Sequence, residues 1–159
     1  MQVREVMTSD VVTLNEYMSV REAAKVLAEC NISGAPVLDS EGKLVGMLTE
    51  SDILRSVKRA SDEVRMVFPS VHTMGVMFEL AKGETEIMEA FDEQANTVVM
   101  DVMTRNPITC RQETPVNEVA SILIKKGINR LPVVDDEDRV VGIITRGDIV
   151  RAFAQNSAG

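Results

Sequence analysis

Apolar and polar positions follow one another in the same order in two stretches of this chain, and this order predicts the same structure in both. The apolar run Val140–Thr145 is followed by Asp148 and an amphipathic segment, which indicates a strand, a tight turn and a helix. The run Leu44–Thr49 is followed by Asp52 in the same way. The threonine is the predicted N-cap of the helix and the aspartate its third residue, so that free N–H groups of the first turn would form a small positive pocket.

The two stretches belong to a longer internal repeat with an offset of 96 residues. Residues 3–57 align without a gap with 99–153, and 20 of the 55 aligned pairs are identical, so each copy is predicted to form the same β-α-β-β-α unit. The predicted strands are 11–14, 35–38 and 44–49, then 108–110, 131–134 and 140–145. The predicted helices are 19–30 and 115–126, with Thr114 capping the latter and Pro115 at its first position, and two that begin at Asp52 and Asp148.

A unit of about 55 residues with one small sheet buries too little apolar surface to be stable alone, so we expect the two copies to pack together. The predicted fold class is α+β, with two units related by a pseudo-twofold axis and packed through their sheets. This arrangement creates two matching clefts, lined by strand ends and by the Thr-x-x-Asp turns. The predicted organisation is a first unit at 3–57, a helical insert at 58–98 and a second unit at 99–153.

The insert has no counterpart in the repeat and is longer than an ordinary connection. It contains three of the four Phe residues together with Met66, Met74, Met77 and Met88, and its apolar positions suit two helical faces. These faces could pack against the chain's own units. They could equally form a dimer or partner surface, since Met-rich faces adapt to different partners.

Composition and charge exclude some classes of function. The net charge is −8 and only 3% of the residues are aromatic, whereas a nucleic-acid surface needs basic side chains interleaved with aromatic ones. Residues 99–159 hold eight basic and eight acidic side chains, so an anionic ligand should prefer the second copy. No apolar run approaches the ~20 residues of a membrane span, and residues 1–5 do not resemble a secretion signal, so we expect a cytoplasmic protein without membrane contact.

No catalytic or metal-binding constellation can be recognised in the sequence. Cys30 and Cys110 lack metal-ligand spacing, and His72 is the single histidine. We expect both cysteines to be buried thiols, since free cysteine packs as a small apolar side chain. No nucleophile–base pair and no Walker loop is present, so an enzymatic function is not expected.

Three motifs resemble those of the cystathionine β-synthase (CBS) domain: Val6-Met7-Thr8, the run 32–39 and the run 46–53. Their counterparts 96 residues later resemble a second such domain, so the chain is similar to a tandem CBS pair, or Bateman module. The resemblance implies clefts that bind adenosine-containing ligands such as AMP, ADP, ATP, S-adenosylmethionine or NAD. It also implies a regulatory role toward a partner protein and a disc-like homodimer.

Candidate ligand-binding residues lie at the repeated turn. A carboxylate in the first turn of a helix can accept both ribose hydroxyls, so Asp52 and Asp148 are predicted to hold ribose and Thr49 and Thr145 to touch the ribose-phosphate junction. The alternative is that Thr-x-x-Asp is only a capping box, which stabilises its helix by about 1 kcal/mol. The predicted base contacts are Val12, Ile32, Ala35 and Met47 in one cleft, and Ile108, Ile128, Leu131 and Ile143 in the other.

The two copies differ where phosphate affinity is decided. The run 129–133 is similar to the His-Arg-x-Pro-Val run with which the γ subunit of AMP-activated protein kinase grips phosphate, with Asn129 for the His and Arg130 kept. The first copy has Gly34 in place of Arg130 and Glu50 in place of Arg146. Both arginines are predicted phosphate ligands and Gly34 a cleft residue, with solvated surface charges as the alternative. Whether Arg130 serves its own cleft or the facing one stays open.

These observations favour a non-enzymatic sensor that binds an adenosyl ligand between its two repeats and passes the occupancy to a partner or to its own dimer. No separate cofactor is expected. The rival hypothesis is a ligand-free scaffold whose repeats serve only for dimerisation and interaction.

Overall fold

A computed structural model of the protein describes residues 1–62, 89, 92–93 and 95–157. The two helices predicted within the insert fall almost entirely outside these residues. Among the described helices, none combines the length and the apolar character needed to cross a bilayer.

The first copy forms the predicted order of elements, the second forms it except for its first strand, and the fold is α+β. The first copy contains β1 (Leu14–Asn15), α1 (Val20–Glu29), β2 (Gly34–Leu38), β3 (Leu44–Thr49) and α2 (Glu50–Asp62). The second region contains β4 (Thr104–Arg105), α3 (Val116–Lys126), β5 (Arg130–Val134), β6 (Val140–Thr145) and α4 (Arg146–Asn156). Short 3-10 helices occupy Val3–Glu5 and Val99–Asp101. The predicted hairpins and helices are therefore present in both copies.

The two sheets have equivalent registers, as the repeat predicts. β2 and β3 pair antiparallel with Pro36 opposite Met47, and β5 and β6 pair antiparallel with Pro132 opposite Ile143. β1 adds parallel to β2, whereas the equivalent Cys110 makes a single parallel bridge to Val133. The predicted strand 108–110 is thus reduced to one bridging residue, and the predicted strand 11–14 to a two-residue strand that begins at Leu14.

The beginning of each copy packs against the other copy. Thr104 of β4 pairs with Met47 of β3, and Thr8 pairs with Ile143 of β6. Val99 is fully buried in the core of the first copy, and its counterpart Val3 is fully buried in the core of the second. Each hydrophobic core is therefore completed by a segment from the other copy, which confirms a single packed pair.

Alternation along the strands separates the two faces of each sheet. Ala35, Val37 and Leu48 lie in the first core with the apolar face of α1, and Leu131, Val133 and Ile144 lie in the second core with α3. The intervening residues of these strands point away from the helices and toward the other copy. This alternation decides which strand residues can reach a cleft between the copies.

Three local expectations are wrong. Cys30 is exposed, because α1 ends at Glu29 and Asn31 turns the chain with a φ of 52°. Cys110 is buried as expected, and burial raises the pKa of its thiol to about 11. Pro115, not Thr114, is the N-cap residue of α3, since its ψ of 137° is extended and the Thr114 hydroxyl accepts a hydrogen bond from the Arg111 N–H. α2 and α4 begin at 50 and 146, as the predicted N-cap positions require, and two residues before the starts predicted at Asp52 and Asp148.

Candidate functional site

A cleft of about 610 Å³ lies between the two copies and is lined by residues of both. The first copy contributes Met47 and the turn from Thr49 to Asp52, at the end of β3 and the start of α2. Ile108, Ile128 and Arg130 come from the second copy. The sequence analysis placed the base contacts of each cleft within one copy, and this assignment is wrong for this cleft, which is lined by both copies. The two copies meet here because the first segment of each one packs against the other.

The Thr49-x-x-Asp52 turn forms a capping box. Asp52 Oδ2 accepts hydrogen bonds from the Thr49 N–H at 2.9 Å and from the Thr49 hydroxyl at 3.1 Å, and the Asp52 N–H lies 3.3 Å from Thr49 Oγ1. Thr145 and Asp148 repeat this geometry at 2.8, 2.8 and 3.2 Å. Thr145 is thus the N-cap of α4, as predicted.

The expected pocket of free helix N–H groups is reduced, because the first and third of these groups are already engaged. The Glu50 N–H donates to the Ser33 carbonyl at 2.9 Å, and the equivalent Arg146 N–H donates to the Asn129 carbonyl at 3.0 Å. The third helical N–H is used by the capping threonine in each copy. The first turn therefore offers a ligand fewer donors than the sequence pattern suggests, because neighbouring loops have already satisfied them.

Both aspartates are buried, and their outer oxygens are also engaged. Asp52 Oδ1 forms an ion pair with Arg55 and accepts a hydrogen bond from the Thr104 hydroxyl at 3.2 Å, while Asp148 Oδ1 forms an ion pair with Arg151. A carboxylate has about four acceptor positions, so those of Asp52 are filled. A ribose diol can bind Asp52 only by displacing Arg55 or Thr104.

Arg130 reaches from the start of β5 into the first copy. Its Nη1 donates to the Gly34 carbonyl at 3.2 Å and its Nη2 to the Ser33 hydroxyl, while its Nε is buried without a hydrogen-bond partner in the part of the chain that the structure describes. Burial lowers the pKa of Arg130, and the negative charge of Glu50 opposes this shift. Arg130 is therefore a partly desolvated guanidinium that lines the cleft containing Asp52.

Gly34 is the repeat counterpart of Arg130, and the two residues meet near the pseudo-twofold axis. A Cβ atom at Gly34 would lie 3.2 Å from Arg130 Nη1 and 2.9 Å from Thr49 Cγ2. Since these approaches are closer than normal packing allows, the glycine provides the space that the guanidinium occupies. Two equivalent arginines would compete for the same space near this axis. Because the first copy has glycine at this position, the Arg130 side chain occupies that space alone.

The other predicted residues are divided between the cleft, the cores and the second helix start. Met47, Ile108 and Ile128 line the cleft, and their contact with a base stays a prediction, whereas Ala35 and Leu131 are buried in the cores and do not line this cleft. Strand alternation is the physical reason for this correction. The remaining candidates do not line this cleft and stay predictions for the equivalent position on the other side of the axis: Val12, Ile32, Ile143, Thr145, Arg146 and Asp148.

Several lining residues were missed by sequence reasoning. Thr104 is the last residue of the repeated Val-Met-Thr motif. It reaches Asp52 because β4 of the second copy pairs with β3 of the first, and the sequence does not reveal this pairing. Arg55 was visible as a conserved position of the internal repeat, with Arg151 as its counterpart. Spacing of three residues on a helix already places Arg55 beside Asp52, so that signal was available from the sequence.

The family model described as the CBS domain matches residues 3–59 and 99–155. The chain belongs to the CBS domain family. Its relatives include the uncharacterized protein MJ1426 of Methanocaldococcus jannaschii, which is 34% identical over 96% of this chain and 91% of its own length. The CBS domain-containing protein CBSX1 of Arabidopsis thaliana, a chloroplastic protein, is 33% identical over 92% of this chain, which spans only 66% of it.

Solved CBS structures share the fold over nearly the whole chain. CBSX2 in complex with AMP has a TM-score of 0.71 and 27% identity, with 98% of each chain covered. The CBS domain pair of protein MJ0100 in complex with 5′-methylthioadenosine and S-adenosyl-L-methionine has a TM-score of 0.69 and 31% identity, again with 98% of each chain covered. The paired CBS fold of this chain is therefore that of structures in which adenosine compounds are bound.

Proposed function

We propose that this CBS pair is a regulatory module that binds an adenosyl ligand in the cleft between its copies. The observation that carries the proposal is the convergence of Asp52 from one copy and Arg130 from the other on a single cleft of about 610 Å³. A volume of this size lies within the range of small-molecule sites. The AMP, S-adenosylmethionine and methylthioadenosine complexes of the related CBS pairs support this class of ligand.

The proposed ligand position follows from the chemistry of the lining residues. The base would lie against Met47, Ile108 and Ile128, which are the apolar residues of the cleft. Ribose hydroxyls would replace the Thr104 hydroxyl at Asp52 Oδ1, and a phosphate would bind Arg130. The equivalent position at Thr145, Arg146 and Asp148 is proposed as a second site.

The proposal includes no catalytic step, and the expectation that this chain is not an enzyme stays a prediction. CBS repeats also occur within larger proteins: the chain is 32% identical to L-aspartate semialdehyde sulfurtransferase of Methanocaldococcus jannaschii but covers only 23% of it. A regulated partner, a homodimer and the cytoplasmic location stay predictions.

Calorimetric titration with adenosine, AMP, ADP, ATP, S-adenosylmethionine and NAD tests the proposed ligand class, with GMP as the control for the base. We expect at least one adenosine compound to bind and GMP to bind more weakly. Asp52→Asn should reduce the affinity about ten- to a hundredfold, because it removes a charge-assisted hydrogen bond worth about 1.5–3 kcal/mol. If no adenosine compound binds at millimolar concentration, the ligand-free scaffold replaces this proposal.

Arg130→Ala separates the phosphate contact from the rest of the site. We expect it to weaken AMP about ten- to a hundredfold and adenosine by much less, since adenosine carries no phosphate for the guanidinium to hold. Arg139→Ala is the matched control, because Arg139 is an exposed arginine of the same copy that pairs with Glu137. Equal losses for adenosine and AMP in Arg130→Ala would show that Arg130 supports the fold of the cleft and not the phosphate.

A further inference from the structure

We propose that Glu50 makes the cleft containing Asp52 discriminate against ligands with more than one phosphate. This inference rests on the proposed adenosyl function and concerns the class of ligand that the same cleft selects. The evidence for it is the set of charged side chains that line the cleft, together with the ion pairs and hydrogen bonds that these side chains already form.

The charged side chains that line the cleft balance each other. They are Glu50, Asp52, Arg55 and Arg130, two acidic and two basic. Asp52 and Arg55 form an ion pair with each other, so a ligand that leaves the pair intact experiences no net charge from it. Arg130 and Glu50 remain, and a phosphate that binds the guanidinium also meets the carboxylate.

The backbone adds little positive charge to this balance. The N–H groups of Glu50 and Asp52, at the first and third positions of α2, already donate to Ser33 and Thr49. Arg130 itself already donates hydrogen bonds from Nη1 to the Gly34 carbonyl and from Nη2 to the Ser33 hydroxyl. One guanidinium can compensate one phosphate group, but a second or third phosphate finds no further unpaired cation among the residues that line the cleft.

Glu50 is placed to oppose those additional phosphates. It is the first residue of α2, it is exposed, and it lines the same cleft as Arg130. Its negative charge opposes the lowering of the Arg130 pKa by burial. A like charge in the same cleft repels an anionic ligand in proportion to the charge of the ligand.

The internal repeat supplies a natural contrast at this position. The first residue of α4 is Arg146, so the charge at the start of the equivalent helix is reversed. Arg146 Nε donates to the Ile128 carbonyl at 3.1 Å. The same structural position thus carries a negative charge beside Asp52 and a positive charge beside Asp148, as expected if the two sides select ligands of different charge.

Titration calorimetry of wild type and Glu50→Gln with adenosine, AMP and ATP, at low salt and with EDTA, tests the inference. Only binding that Asp52→Asn weakens by at least about tenfold is assigned to this cleft, with circular dichroism to show that this variant is folded. We expect wild type to bind AMP more tightly than ATP, and Glu50→Gln to raise the affinity for ATP about three- to tenfold more than that for AMP. Adenosine should bind wild type and Glu50→Gln equally.

Glu118→Gln is the matched control, because Glu118 is also a first-turn helix acid but does not line the cleft. It should leave the ratio of AMP to ATP affinity unchanged. Tighter binding of ATP than of AMP to wild type, or an equal gain for both in Glu50→Gln, would overturn the charge selection while leaving the adenosyl function in place. Failure of every adenosine compound to bind, or of any to depend on Asp52, would overturn both proposals.

Discussion

At the scale of single residues, the cleft is shaped by positions where the two copies differ. The Thr-x-x-Asp turns are the same in both copies and stabilise their helices whether or not a ligand is present. The copies differ at Gly34 and Arg130, which fit each other sterically, and at Glu50 and Arg146. These differences give chemically distinct surroundings to two aspartates that have the same local geometry.

Gly34→Ala should destabilise the protein, because its Cβ would lie 2.9 Å from Thr49 Cγ2 and 3.2 Å from Arg130 Nη1. We expect a loss of about 1–3 kcal/mol in the free energy of unfolding, measured by urea denaturation, since overpacking of this kind displaces its neighbours. Gly147→Ala is the control, because the nearest atoms to a Cβ there lie at an ordinary 3.6 Å. Equal stability of the two variants would contradict the close approach of Arg130 to Gly34.

At the scale of elements, the segments that begin the two copies join the opposite sheets. Val3 and Val99 occupy equivalent places in the repeat, and each is fully buried in the core of the other copy. Met7 and Met103 behave alike, since they cover Gly142 and Gly46 in the opposite sheets. Coupling between the copies is therefore built into the cores and does not depend on the clefts alone.

Val3→Ala and Val99→Ala should each destabilise the protein by about 1–3 kcal/mol, as truncation of a buried aliphatic side chain does. Hydrogen exchange read by mass spectrometry should locate the effects in opposite places. Val3→Ala should raise exchange in α3 and β5, and Val99→Ala in α1 and β2. If hydrogen exchange rises instead in the copy to which the mutated residue belongs by sequence, that result would contradict the packing of each copy's first segment into the core of the other copy.

At the scale of the whole molecule, the outer helices carry apolar side chains with no described partner. Leu54 of α2 and Val150 of α4 are equivalent in the repeat and are 68% and 67% exposed, and Phe153 of α4 is 51% exposed. Residues at equivalent places on both halves suit a symmetric contact between two chains. This surface supports the proposed homodimer independently of the insert.

Sedimentation should show a species of twice the 17.5 kDa chain mass at tens of micromolar. The double variant Leu54→Glu/Val150→Glu should weaken dimerisation by at least about tenfold, because it would bury unpaired charges in the interface. Lys25→Glu, an exposed change on α1, is the control for added negative charge. A monomeric wild type would contradict the dimer, and a dimer unaffected by the double variant would contradict this interface.

Much of the fold could be predicted from the sequence because its signals are local. Short apolar runs located the hairpins, and the Thr-x-x-Asp spacing located the capped helices α2 and α4. The errors also have local causes. Cys30 follows the last residue of α1, where burial depends on how the chain turns, and Pro115 was placed one position too far into α3.

The candidate site was only partly predictable. Met47, Asp52 and Arg130 were identified correctly as cleft-lining residues, but the sequence assigned Ala35 and Leu131 to the clefts although they face the cores. It also expected free helix N–H groups, which the Ser33 and Asn129 carbonyls occupy. These features depend on contacts between segments that are far apart in the chain, so no local pattern could reveal them.

The sequence by itself determined the repeat, the order of elements and the capped turns, since each depends on neighbouring residues and recurs at an offset of 96. Only the tertiary structure decided which copy completes which core and that Arg130 lines the cleft of Asp52. In a nearly symmetric pair, a segment that packs on its own copy and one that packs on the other have the same local pattern. Steric fit between distant residues, such as Gly34 with Arg130, distinguishes the two arrangements.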